Sequence, residues 1–208
     1  MGSKNIFKAL IAIILLSTAG YYIWYVYFNF RLEEISKQKV YKSALIPPNK
    51  LDKFLLENKI KTVINLLDGS VLDKLNPASN LHINAQDKAI MDINKKYKTN
   101  IKHIHIPSRQ VPTKKTLAKF FDVLDNKRNY PVLIHCYHGT GRAQIYSALY
   151  RIEYENWDKE DARSKTGVIV EGLGYKSAFA KGRKKGDFLI NYRPRVYGKD
   201  ATINTLKK

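Results

Sequence analysis

The stretch Pro131-Val132-Leu133-Ile134-His135-Cys136-Tyr137-His138-Gly139-Thr140-Gly141-Arg142 contains the residue types needed to hold a phosphoryl group and attack it. An apolar run rich in β-branched residues ends at Cys136, the chain's only cysteine. Gly139 and Gly141 follow, then Arg142, then a stretch with helical periodicity. This order predicts a strand, a tight loop and a helix start. Such a loop turns successive backbone N–H groups inward, and the helix N-terminus adds partial positive charge, so the concavity suits an anion. The amides from Tyr137 through His138, Gly139, Thr140 and Gly141 to Arg142 form the cradle. The two glycines allow the backbone angles that the turn needs. The planar fork of Arg142 fits two phosphate oxygens. At the base, the same field favours Cys136 as a thiolate. A thiolate beneath a phosphoryl group is set for in-line attack on phosphorus.

The pattern His135-Cys136-x-x-Gly139-x-x-Arg142 resembles the loop of the cysteine-dependent protein tyrosine and dual-specificity phosphatases, in their atypical bacterial branch. Two other readings are a core cysteine that precedes a glycine turn, and the Cys…Arg loop of a rhodanese-type sulfurtransferase, which calls for a shorter loop. The phosphatase resemblance covers roughly Val40 to Thr166, with Tyr41-Lys42-Ser43 and Val63-Ile64-Asn65-Leu66 as weaker matches. It implies a phosphoric monoester hydrolase that works without metal or other cofactor. Cys136 would be its nucleophile and Arg142 its transition-state clamp, with His135 a structural residue behind the loop. Phosphorylated protein is the substrate this family implies, whereas a basic domain on a membrane anchor suits a phosphorylated lipid or glycolipid at the bilayer surface, and both are expected as candidates.

The chain departs from that family at two points. The family takes its leaving-group proton from an Asp on a loop upstream of the cysteine. Here that loop is Pro107-Ser108-Arg109-Gln110-Val111-Pro112, without a carboxylate. Three explanations stand: His138 is the acid, since an imidazole suits the task; Asp87 or Asp92 folds over the site; or a good leaving group needs little help. The family also carries Ser or Thr directly after the arginine, where this chain has Ala143. Turnover would then be slow, or the domain would bind phosphate without hydrolysing it. Gln144 is a candidate to orient water. Arg109 is either a further phosphate contact or a solvated loop residue.

The surrounding elements read as an α/β domain with a mostly parallel central sheet flanked by helices, the catalytic loop lying at a strand's C-terminal end. Strands are expected at Val40–Leu45, Lys61–Leu67 and Ile101–Ile106. Helices are expected at Asn49–Asn58 and Asp87–Tyr97, after an N-cap at Thr113, from Arg142 onward, and after Asp158. Asn76–Asn80 reads as a polar connector, and Phe188–Tyr192 as a last helical turn returning to the core.

Residues 1–8 are expected as an N-terminal tail and 9–30 as one transmembrane anchor, preceding a linker at 31–39 and the phosphatase-like domain at 40–208. Ala9 to Phe30 holds 22 residues without a formal charge, aliphatic first and aromatic after. About 20 apolar residues cross a bilayer core, and Trp and Tyr gather at its interface. A cleaved signal peptide ending near Ser17-Thr18-Ala19 is the alternative, but the apolar run continues past it. Arg31 to Gln38 reads as a polar helical extension of the anchor. Lys4 and Lys8 favour an exported domain, periplasmic if the membrane is a bacterial inner one, whereas Arg31, Lys37, Lys39 and Lys42 pull the other way.

The chain carries 37 Lys and Arg against 18 Asp and Glu, a net charge of +19. That balance favours anionic partners such as phosphorylated substrates or acidic headgroups, and no nucleic-acid motif accompanies it. A single cysteine excludes a disulfide framework and a Cys-rich metal site. The basic, Gly-rich segment 170–208 includes Lys181-Gly182-Arg183-Lys184-Lys185-Gly186, either a solvated loop or a contact with headgroups at about 1 kcal/mol per cation.

Overall fold

The computed structural model describes residues 3–70 and 80–195. Five short strands form one sheet: β1 (Glu33–Ser36), β2 (Val40–Ser43), β3 (Thr62–Asn65), β4 (Lys102–His105) and β5 (Val132–His135). Their spatial order is β1-β2-β5-β3-β4; β1 is antiparallel to β2 and every other pairing is parallel. The register sets Ser43, His135, Asn65 and His105 in one row at the carboxyl edge.

The helices are α1 (Ser3–Ile23), α2 (Pro48–Glu57), α3 (Asn80–Tyr97), α4 (Lys114–Asp125), α5 (Arg142–Tyr154), α6 (Lys159–Lys165), α7 (Val168–Gly172) and α8 (Lys184–Ile190). Strand side chains alternate between two cores, as a two-residue period demands. Val40, Ile64, Val132 and Ile134 pack on one face with Phe120 and Leu124 of α4, Ile145 and Leu149 of α5 and Leu189 of α8. Tyr41, Val63 and Leu133 pack on the other with Leu51 and Leu55 of α2 and Ile90 and Ile93 of α3. Thr113 closes a capping box on α4, and Asp158 accepts from the Glu160 N–H at the start of α6.

α1 runs on through a π-helical turn, Trp24–Phe28. Its apolar side chains are exposed, Leu16 at 73%. Lys4–Phe28 is long and apolar enough to cross a membrane, with mean hydropathy 1.9. The expected tail is therefore helical from Ser3.

The expected helical extension at Arg31–Gln38 is a correction: this stretch turns back and forms β1. Phe30 and Arg31 adopt left-handed angles, φ 51 for both, which end the helix. The strand then buries Ile35, and Glu33 pairs with Lys42 at 2.9 Å across the hairpin. The polar connector expected at Asn76–Asn80 lies outside the described residues up to its last member, which opens α3. Leu189 and Tyr192 return to the core as expected.

Candidate active site

Cys136 stands one residue past the end of β5, at the base of the loop that leads into α5. It is fully buried. Its sulfur nonetheless meets a polar group: the Gly139 N–H donates to Sγ at 3.3 Å. Gly139 has φ +71, and a Cβ there would lie 2.6 Å from the Ala44 nitrogen. Both the angle and the close approach to the chain after β2 require glycine. The Leu45 N–H donates to the Tyr137 carbonyl at 3.1 Å, fixing the other side of the turn. Arg31 Nη1 donates to the His138 carbonyl at 2.9 Å. The loop is thus held by the end of β2 and by the residue where the apolar helix gives way to the domain.

Arg142 opens α5 with its side chain buried. Its Nη1 donates to the Leu66 carbonyl at 2.8 Å and to the Ser108 carbonyl at 2.9 Å. Its Nε and Nη2 are buried and make no hydrogen bond. An uncompensated buried cationic donor is costly, so two such donors side by side fit an anion that accepts from both. Ser108 is held in turn by Tyr146, whose hydroxyl donates to Ser108 Oγ at 2.8 Å.

His135 is buried behind the cysteine, and neither ring nitrogen completes a hydrogen bond. Burial pushes its pKa down to about 3, with nearby His103 acting in the same direction and the Cys136 backbone opposing them. His135 is therefore neutral, a packing residue under the loop. His103 is also held below its ordinary value, chiefly by burial, although Asp87 beside it favours the proton.

His138 is exposed at the loop, its ring edge-on to Tyr137 at 4.8 Å between centroids. Asp87 is tied to His103 on the edge strand β4, and Asp92 to Lys88 at 2.8 Å on the surface of α3. These contacts hold both carboxylates on the α3 side of the domain. Arg109 is exposed, whereas Gln110 reaches the loop: a Cβ on Gly141 would lie 3.4 Å from Gln110 Oε1 and 3.2 Å from Lys185 Nζ. Ala143 is fully buried in the first turn of α5 and offers no hydroxyl; Gln144 beside it is buried too. Lys176, Arg183, Lys184 and Lys185 line a cleft of about 430 Å³ with Gln110 and Val111. Among the described residues, no three His, Cys, Asp or Glu side chains converge on a metal-sized site.

Sequence reasoning missed Ser108, Tyr146, Gln110 and Arg31 as parts of this site. Tyr146 carried a weak signal, since it lies one helical turn after Arg142 on the buried side of α5.

Residues 47–178 match the family model described as a DSP-PTPase phosphatase fused to NAD+ kinase. The dual-specificity protein phosphatase TpbA of Pseudomonas aeruginosa is 47% identical over 36 residues, which span 17% of this chain and only 16% of that relative. Among solved structures, the catalytic core of the PP-IP phosphatase SIW14 from S. cerevisiae superposes with a TM-score of 0.55 at 18% identity, covering 85% of this chain and 94% of that one. The crystal structure of P. aeruginosa TpbA gives 0.55 at 20% identity over 79% and 86%. TpbA in complex with pTyr gives 0.51 at 22% over 78% and 90%. At such identities these likenesses are of fold. The matched residues take in the whole cysteine loop and its flanking elements, and on that match the chain belongs to the cysteine-based DSP-PTPase phosphatase family, a family of phosphoric monoester hydrolases.

Proposed function

We propose that this chain is a membrane-anchored cysteine phosphatase that hydrolyses phosphate monoesters carried by a phospholipid, a glycolipid or a protein. The observation that carries the reading is Arg142: Nη1 is pinned by two carbonyls while Nε and Nη2 are left buried and unbonded. Those two donors and the Cys136 sulfur belong to one loop at the start of a helix 13 residues long.

The Cys136 thiolate attacks phosphorus as the bond from phosphorus to the ester oxygen breaks. The Arg142 fork and the amides from Tyr137 to Arg142 hold the three phosphoryl oxygens and stabilise the charge that develops on them. The leaving alcohol takes a proton from His138. Water then attacks the phosphocysteine, the P–S bond breaks, and inorganic phosphate leaves with the thiolate restored. His135 packs behind the loop and takes no part in proton transfer. α1 supplies the single membrane span, with Lys4 and Lys8 placing the domain on the exported face, periplasmic in a bacterial inner membrane. The +19 net charge suits phosphorylated substrates and acidic headgroups alike.

Hydrolysis of a soluble aryl phosphate in chelator, with and without Cys136→Ser, tests this. Turnover in the parent and none in the variant is expected; equal, negligible rates would sink the enzyme reading. A second reading, a phosphate-binding module with little turnover, is favoured by the buried Ala143 and by an upstream loop that has no carboxylate and brings Gln110 beside Gly141. Retained phosphate affinity at negligible rates would support it.

A further inference from the structure

The base of the apolar helix and the catalytic loop share one edge of the sheet. Phe30 is inserted in the core, its ring edge-on to Phe54 at 5.6 Å. The Ala44 N–H, one residue past the end of β2, donates to the Phe30 carbonyl at 2.7 Å. Cys136 lies one residue past the end of β5, and Ser43 and His135 are paired neighbours in the register. The chain thus leaves the domain beside the loop that holds the sulfur, and Arg31 bonds directly to that loop at the His138 carbonyl.

The join has almost no slack. The span ends at Phe28 and the core begins at Phe30. Two residues reach at most about 7 Å. Lys50 Nζ sits 5.8 Å from the Phe28 ring and 5.4 Å from the Phe30 ring, bracing the same point from α2. The outward side chains of α1 are exposed, so the helix does not fold back along the domain. With α1 in a bilayer, the carboxyl edge of the sheet stays at the headgroup layer. The cations Lys176, Arg183, Lys184 and Lys185 line a cleft beside Gly141 at that edge. Three of the four, from Arg183 onward, lie beyond the residues that match the family model.

We infer that the substrate is a phosphate monoester on a lipid headgroup, taken from the same bilayer that holds α1. This rests on the cysteine-phosphatase reading and narrows it. A lipid phosphate at the headgroup layer is within reach of a sulfur tethered so closely. A protein phosphosite needs access from solvent, which a domain pressed edge-on to the bilayer restricts. The cationic cleft supplies charge for a second anionic group beside the one being cleaved.

The test uses the full chain in phosphatidylcholine vesicles with three kinds of substrate. These are a lipid phosphate in the same bilayer (phosphatidic acid, or a glycolipid phosphorylated on its sugar), a soluble tyrosine phosphopeptide, and a soluble aryl phosphate. A second chain carries a helical Glu-Ala-Ala-Ala-Lys repeat between Phe28 and Asn29, long enough to lift the domain by about 30 Å. The parent is expected to prefer a lipid phosphate over the peptide. The spacer is expected to cut lipid turnover more than about tenfold while leaving aryl phosphate turnover unchanged, because the sulfur no longer reaches the surface. Preference for the peptide in the parent overturns the proposal, whatever the spacer chain does. Lipid turnover unchanged by the spacer overturns it as well. Failure of the parent on aryl phosphate overturns the phosphatase reading itself, and this inference with it.

Discussion

The carbonyl of Ser108 accepts from Arg142 Nη1 at 2.9 Å, so the loop that has no carboxylate serves instead to aim the arginine. One terminal nitrogen is spent on Ser108 and Leu66, and the remaining edge of the guanidinium is left for an anion. A lysine cannot do both, because its ammonium is a point charge without a second edge. Arg142→Lys is therefore expected to lower kcat on aryl phosphate by about 10²–10³-fold, the usual effect of losing one transition-state donor. Steady-state kinetics with a circular-dichroism check of folding would show it; a loss under threefold would mean that the fork is not used.

Tyr146 acts one step further back. Its hydroxyl donates to Ser108 Oγ at 2.8 Å in a buried setting. Tyr146→Phe removes a hydrogen bond worth about 1 kcal/mol and loosens the loop that steers Arg142. Since the effect passes through aim and not through binding, kcat should fall more than KM changes. Thermal unfolding gives the stability part separately. A change in KM alone would place Tyr146 outside this chain of contacts.

The sheet and the loop were legible because their signals are contiguous. β5, the two glycines and Arg142 are read in one pass, and alternation marks β4. β1 was not legible: Glu33, Glu34, Lys37 and Gln38 are good helix formers, and nothing local says otherwise. What overrides them is distant, since Ile35 enters the core and Glu33 is engaged by Lys42 and, at 3.7 Å, by Arg151. The same limit hid Ser108 and Tyr146, whose partners lie 34 and 38 residues away. His135, by contrast, was assigned a structural role by resemblance, and its burial is consistent with that.

His135 gives the fold a pH signature. Its pKa drops from an ordinary 6.5 to about 3 on burial. The unfolded chain therefore binds more protons than the native one between those values, and stability falls as pH falls below about 6.5. One such group contributes at most about 1.4 kcal/mol per pH unit. His103, also lowered by burial, adds in the same direction. Between about pH 6 and 5 carboxylates remain largely ionised even when unfolded, so the slope there belongs to the histidines. Urea unfolding at a series of pH values should show it, and His135→Gln should flatten it. An unchanged slope in that variant would mean the buried ring is not the cause.

His138 is exposed beside Tyr137 on the cysteine loop. If it protonates the leaving oxygen, its value depends on how badly that oxygen needs a proton. His138→Ala should cost about 10²-fold or more on an alkyl phosphate and little on para-nitrophenyl phosphate, whose leaving group departs as an anion. An equal loss on both substrates would assign His138 to binding.

Ala143 bears on the second chemical step. It is fully buried in the first turn of α5, and its carbonyl already accepts from Ser147 Oγ at 2.8 Å. Without a hydroxyl beside the departing sulfur, hydrolysis of the P–S bond should be slower than the thiolate attack that forms it and breaks the ester P–O bond. The parent should then show a burst of released alcohol, followed by a slower steady state. Ala143→Ser adds one oxygen in a small volume and supplies a hydrogen bond to a charged group, worth about 1.5 kcal/mol. The steady-state rate is expected to rise about tenfold and the burst to shrink, because one such bond is worth that factor in rate. Rapid-mixing kinetics separate the two phases. A rate unmoved by the serine, or a parent without a burst, would place the slow step before the phosphocysteine and leave the missing acid as the reason for it.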